Sequence, residues 1–195
     1  MDETSLGWAE HLHVAIRKLC SNVFEGCITS DHLKDTPDRV VSAFTEYFSG
    51  VDEDPELVLK TGFQPGTYNE MVYVKDIEFV SFCAHHLAPF IGKAHFAYLP
   101  HEKIVGISKI PRLVEIYSRR PQVQEKLSSD IVDTFMKVVR PKGCGVVIEA
   151  LHMCMAIRGI KKRAITRTTA LRGVFLTPEC KGEFLDGVKG GLGWL

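Results

Sequence analysis

Near the start of the chain the apolar positions recur at steps of three and four. Over residues 8–24 they are Leu12, Ala15, Ile16, Leu19 and Val23, the period of a helix with one buried face. A second helical pattern opens at Asp35-Thr36-Pro37, a polar cap candidate followed by a first-turn proline. It runs through Val40, Val41, Phe44, Tyr47 and Phe48 to a stop at Gly50. The period then changes. Residues 71–82 and 90–99 are rich in Val, Ile, Phe and Tyr with partial alternation, which predicts two strands.

Residues 109–119 and 122–140 return to the helical period, with Pro121 between them. The second of these carries Val123, Leu127, Ile131, Phe135 and Val138 on one face and has Gly143 past its end. Strands over 146–151 and 165–175 and a short helix over 179–188 complete the pattern. There is no internal repeat, low-complexity segment or long linker. Helices, two strands, two helices and two strands in that order predict an α+β chain with antiparallel pairing. Residues 1–60 form an N-terminal helical segment and 61–195 the core of one functional domain.

A chain of 195 residues suffices for one core and is short for two independent enzymes. Lys plus Arg and Asp plus Glu number 24 each, so no overall field favours a polyanion, and nucleic acid is not an expected partner. No stretch approaches the roughly 18 to 20 apolar residues of a membrane helix. The acidic start Met1-Asp2-Glu3-Thr4-Ser5 leads into an amphipathic run, unlike a secretion signal or transit peptide. The six cysteines are therefore read as thiols in a reducing compartment, free or metal-bound, and the expected location is cytoplasmic.

The chemistry concentrates around two short segments. Cys83 and His86 stand three apart at a predicted strand end, and Cys154 lies downstream within His152-Met153-Cys154. Two thiolates and an imidazole suit zinc, and three protein ligands leave a fourth position for water, as in a catalytic site. Zinc lowers the pKa of bound water towards about 7. Spacing alone leaves a plainer alternative open, in which the cysteines are buried thiols and the histidines satisfied polar groups.

The text around these residues is longer than a metal motif. Phe82-Cys83-Ala84-His85-His86-Leu87-Ala88-Pro89-Phe90-Ile91-Gly92-Lys93-Ala94-His95-Phe96-Ala97-Tyr98-Leu99-Pro100 resembles the signature of the GTP cyclohydrolase I family. Gly106 to Arg112, Arg120 to Leu127, Ala150 to Gly159 and Gly182 to Leu185 follow in that family's order. The resemblance spans about residues 35–188, and several motifs in one order are far more specific than any one of them.

The resemblance implies a tunnelling fold, an antiparallel sheet with helices packed on one face. It also implies a homo-oligomeric decamer of two stacked pentamers with sites shared between subunits. The implied reaction opens the imidazole ring of GTP hydrolytically at C8, releases formate and yields 7,8-dihydroneopterin triphosphate. Cys83, His86 and Cys154 would bind Zn2+. His85 and His152 would exchange protons around N7 and C8, a task suited to imidazole, although both could instead hold the ligands in place. Gln124 and Glu125 match the guanine-reading pair, whose carboxylate selects guanine by accepting from N1–H and the exocyclic amine. Lys109, Arg112 and Arg158, with Arg39 as a further position, match the triphosphate-binding cations. Ser108 matches a serine that assists ribose opening.

One departure stands out: Ala84 replaces the glutamate usual between the cysteine and histidines of this motif. It raises the alternatives of a homologue that acts on another purine nucleotide or stops at the ring-opened formamide. A guanine-nucleotide-binding subunit without catalysis is a further alternative, which the intact ligand set and histidines oppose. Arg119, Arg120 and Lys161-Lys162-Arg163 are read as solvated charge.

Overall fold

The computed structural model describes residues 3–24 and 26–189. These fall into two compact units that divide between Phe48 and Ser49, upstream of the division at residue 60 read from the sequence. The first unit holds α1 (Glu3–Asn22), α2 (Ser30–Leu33) and α3 (Thr36–Tyr47). Pro37 occupies the first turn of α3, but Asp35 does not cap it through its side chain. Its carboxylate instead accepts from Arg39 Nη2 at 3.2 Å, one turn along the helix.

The second unit opens with a 3-10 turn, Ser49–Val51, followed by α4 (Pro55–Leu59), β1 (Gly62–Phe63), β2 (Val72–Cys83), β3 (Pro89–Leu99) and β4 (Ile104–Val105). Next come α5 (Lys109–Ser118), β5 (Pro121–Gln122), α6 (Gln124–Val139), β6 (Gly143–His152) and α7 (Met153–Ala156). The described chain ends with β7 (Ile165–Gly173), a 3-10 turn (Val174–Leu176) and α8 (Pro178–Gly187). A five-stranded sheet has the order β5-β2-β3-β6-β7. Its pairings are antiparallel except for the short parallel contact of β5 with β2.

The incomplete alternation of β2 has a structural cause. Val74 pairs with Phe96 and Ile77 with Ala94, so Lys75 and Asp76 together oppose His95. This bulge shifts the alternation by one, so that Val72 and Val74 before it and Ile77, Phe79 and Cys83 after it all reach the same core. Asp76 takes φ 55°, a left-handed conformation that aspartate tolerates better than most residues. Its N–H donates to Nδ1 of His95 at 3.2 Å.

That core lies between one face of the sheet and the helices α4, α5 and α6. Phe90, Phe96 and Tyr98 of β3 and Val146 and Ile148 of β6 meet Leu59, Ile110, Leu113, Leu127, Ile131 and Phe135. The opposite face is also covered at one end, where Phe184 and Val188 in and after α8, with Phe175, pack on Ala97 and Val147. Helices therefore touch both faces, although the main layer is on one.

Two expected stops act differently from their sequence reading. A Cβ on Gly50 would lie 2.2 Å from the Ile116 carbonyl oxygen, so this glycine permits a close approach to α5 after α3 has already ended. The left-handed residue closing α6 is Arg140, at φ 54° with its N–H bonded to Met136 O. Gly143 instead begins β6. Arg120 is not solvated charge: Nε donates to Gly50 O at 2.8 Å, Nη2 to Glu53 O at 2.8 Å, and the guanidinium lies 5.0 Å from the Tyr117 ring centre. Arg119 pairs with Glu115 at 2.7 Å.

Candidate functional site

The chemistry-bearing residues gather where β2 ends, β3 begins and β6 ends. A tight turn after β2 returns the chain into β3. The Cys83 N–H donates to Ala88 O at 2.9 Å, and the Leu87 N–H to Cys83 O at 2.8 Å, with Leu87 at φ 48°. The Ala84 N–H donates to Gln122 O at 2.9 Å, which fixes the turn to β5. Phe90 then pairs with His152 across the β3–β6 ladder, and α7 carries Cys154 immediately beyond. Sheet pairing thus joins two segments separated by a long stretch of chain.

Among the described residues, Cys83, His86 and Cys154 form a group in which one ligand atom from each lies within 4.8 Å of the others. Bonds of about 2.0 to 2.3 Å to one ion place ligand atoms no more than about 4.6 Å apart, so little adjustment is needed. Cys83 is buried, Cys154 partly buried and His86 exposed, which leaves the cluster open on the histidine side. Burial first, then the neighbouring Cys83, pushes the Cys154 thiol above its ordinary range, while Arg158 acts in the opposite sense. A thiol held protonated by its surroundings, beside a second thiol and an imidazole, is a donor set suited to a bound cation, which would stabilise the thiolate form. His85 belongs to the same corner, with Nδ1 3.7 Å from Cys83 Sγ, the same separation as His86 Nδ1.

His152 ends β6, two residues before Cys154. Its ring stacks on Phe90 with centroids 4.6 Å apart and planes inclined by 6°. Its Nε2 lies 2.7 Å from Gln124 Oε1. Burial lowers the His152 pKa from the ordinary histidine value, and the Glu125 carboxylate opposes that shift. A neutral imidazole at neutral pH follows.

Gln124 is buried and Glu125 exposed in the first turn of α6. The Gln124 amide nitrogen donates to Ile148 O and Thr166 O, both at 3.0 Å, and lies 3.2 Å from Thr168 Oγ1. The two neighbours in sequence therefore face different surroundings. Thr166, Thr168 and Ser128, which complete this network, were not singled out in the sequence. The alternating Thr-x-Thr on β7 was the available signal, since alternate residues share a face.

Other predicted positions lie elsewhere. Val105 N is 3.5 Å from the Tyr98 hydroxyl, so α5 starts beside the end of β3 remote from the cysteine turn. It finishes beside Gln122, whose amide bonds Tyr117 O and which pairs with Cys83. With 10 residues at ~1.5 Å each, α5 is about 15 Å long. Ser108 and Lys109 at its start are thus remote from the cluster of their own chain. Exposed Arg112 borders a separate cavity with Asp52, Asp54 and Glu115. Arg158 follows α7 in the exposed loop that also carries Lys161, Lys162 and Arg163. Arg39 is in the first unit, ion-paired with Asp35.

Against known proteins, the family described as GTP cyclohydrolase I matches residues 13–189. The chain is 45% identical over 170 residues to a GTP cyclohydrolase 1 of Wolinella succinogenes, covering 85% of this chain and 91% of that protein. It is 47% identical over 178 residues to one from Chlorobium chlorochromatii, covering 90% and 79% respectively. To one from Campylobacter lari it is 52% identical over 145 residues, covering 74% and 76%. The apo crystal structure of an archaeosine synthase QueF-Like aligns with a TM-score of 0.45 at 18% identity, over 55% of this chain and 97% of that one. Since the family match takes in the cysteine turn, the start of α6 and the β6–α7 corner together, this chain belongs to the GTP cyclohydrolase I family.

Proposed function

We propose that this chain is a zinc-dependent GTP cyclohydrolase I that converts GTP and water into 7,8-dihydroneopterin triphosphate and formate. The observation that carries the reading is the Cys83, His86 and Cys154 cluster, open on its histidine side, in a chain of this family. Two thiols and one imidazole fit Zn2+, and the fourth position is left free. Bound there, zinc supplies Lewis-acid activation of water near neutral pH.

The chain's own groups handle the rest. Neutral His152, and His85 beside Cys83, move protons at the imidazole ring of the base, a role that typically contributes about 10² to 10⁴ in rate. The exposed Glu125 carboxylate accepts from guanine N1–H and the exocyclic amine, which adenine cannot offer in that pattern. Arg158, close enough to influence Cys154, holds phosphate. The remaining phosphate ligands, Lys109 and Arg112, with Ser108 for the ribose, come from a neighbouring subunit. The position of the α5 start away from its own cysteine turn supports that sharing, and a homodecamer of two pentamers supplies such neighbours. Arg39 is a further phosphate ligand in this reading.

The six cysteines of the chain are free thiols in the structure, and no helix among the described residues is long and apolar enough to cross a membrane. Both fit a cytoplasmic enzyme. The test compares zinc-loaded protein with a Glu125→Gln variant on GTP and ATP, following formate. Formate from GTP alone, with a raised KM and retained zinc in the variant, supports the reading. Equal use of ATP, or unchanged kinetics in the variant, overturns the base-reading role. A ring-opened product without formate would show that Ala84 marks an enzyme stopping at the formamide.

A further inference from the structure

We infer that Gln124 is a positioning residue for His152, fixing the ring proton on Nε2 and leaving Nδ1 as the proton acceptor, instead of reading the guanine base. The Gln124 side-chain nitrogen lies 3.0 Å from two backbone carbonyl oxygens, Ile148 O and Thr166 O. Carbonyls only accept, so the amide cannot be flipped without setting Oε1 against both of them. Oε1 therefore faces His152, and at 2.7 Å it too can only accept. The shared hydrogen belongs to His152 Nε2.

The amide is fixed from behind as well. Ser128 Oγ donates to the Gln124 backbone oxygen at 3.0 Å, which uses its hydrogen, so the Thr168 hydroxyl donates to Ser128 across 2.7 Å. Gln124 is 2% exposed, and both its amide hydrogens are taken by the carbonyls, so this buried side chain has no donor left for a base. The tautomer follows from buried hydrogen bonding, because leaving a buried donor or acceptor unpaired is unfavourable. Phe90 holds the plane of the same ring.

This inference rests on the proposed cyclohydrolase reading for its functional consequence, but the tautomer itself does not. The experiment is two-bond ¹H–¹⁵N NMR of zinc-loaded protein labelled at histidine, without GTP, with a His152→Asn variant to assign the signal. An Nε2–H pattern for His152 is expected, and an Nδ1–H pattern would overturn the inference. Kinetics of Gln124→Met then separate positioning from base reading. Loss of about 10² to 10⁴ in kcat with nearly unchanged KM for GTP is expected. An intact kcat with a raised KM would return Gln124 to the base. If the variant does not fold, the wild-type spectrum still decides, and a wild type that releases no formate from GTP refutes the function without altering the tautomer.

Discussion

Phe90 and His152 are register partners on adjacent strands, and their rings stack 4.6 Å apart with planes within 6°. One anchors the strand that returns from the cysteine turn, and the other ends the strand that leads to Cys154. The stack therefore ties the orientation of the His152 ring to the strands that lead to Cys83 and Cys154. Phe90→Leu keeps an apolar side chain but removes the flat surface. We expect a stability loss of about 1 kcal/mol, retained zinc, and kcat lower by about tenfold to a hundredfold. Thermal melting, metal analysis and steady-state kinetics check this, and unchanged kcat would dismiss the stack as mere packing.

The metal cluster makes a stoichiometric prediction. One three-donor site predicts about one zinc per chain, because the group of Cys83, His86 and Cys154 is the one found among the described residues. Cys154→Ala should lose most of that zinc and essentially all activity. A chelator should stop turnover before it unfolds the protein, since Cys83 and Cys154 are two members of a core otherwise built from many apolar side chains that need no metal. Full zinc content in Cys154→Ala would remove the site as described.

His95 provides a pH prediction away from the site. It is 2% exposed, and its Nε2 has no hydrogen-bond partner. Burial lowers its pKa; Asp76 and Glu149 oppose that shift, and Lys75 and Lys93 assist it. A depressed histidine binds fewer protons when folded than when unfolded. Stability therefore rises with pH between the lowered folded value and the ordinary value of about 6.5. It is retained above about 6.5 and lost as pH falls below it. Protonation also removes the acceptor of the Asp76 N–H at the β2 bulge. Melting of wild type and His95→Gln from pH 8 to 5 should show the steeper loss in wild type. Parallel curves would contradict this.

These contacts show what the sequence could and could not reveal. The face of α6 that buries Leu127, Ile131 and Phe135 was legible because helical periodicity is local, although Val123 at its start is exposed. The partial alternation of β2 was visible, but its cause, Asp76 opposite His95, needed a register that only pairing supplies. The clustering of Cys83 with Cys154 came through family motifs, since the β3–β6 ladder that joins them is a long-range fact. Gln124 and Glu125 looked equivalent as adjacent polar residues, yet one is buried and one exposed. Arg120 reads as surface charge because its partners, Gly50 O and Glu53 O, are backbone atoms far away in sequence.

The separation of Ser108 and Lys109 from their own chain's cysteine turn leads to a test of shared sites. His86→Ala and Lys109→Ala proteins should each be nearly inactive alone. Unfolded and refolded together, they should regain a fraction of activity, because some interfaces would pair an intact metal cluster with an intact lysine. Mixed oligomers without recovery would mean that each site is built within one chain.

The central claim is hydrolytic loss of C8 from GTP, and ¹³C NMR follows that atom directly. Zinc-loaded protein is incubated with GTP labelled with ¹³C at C8, and the label is tracked alongside the fluorescence of the oxidised pterin. The account predicts that the label appears as formate in step with unlabelled dihydroneopterin triphosphate, and that neither appears with Cys154→Ala. Label that stays in intact GTP when zinc is fully bound would contradict it.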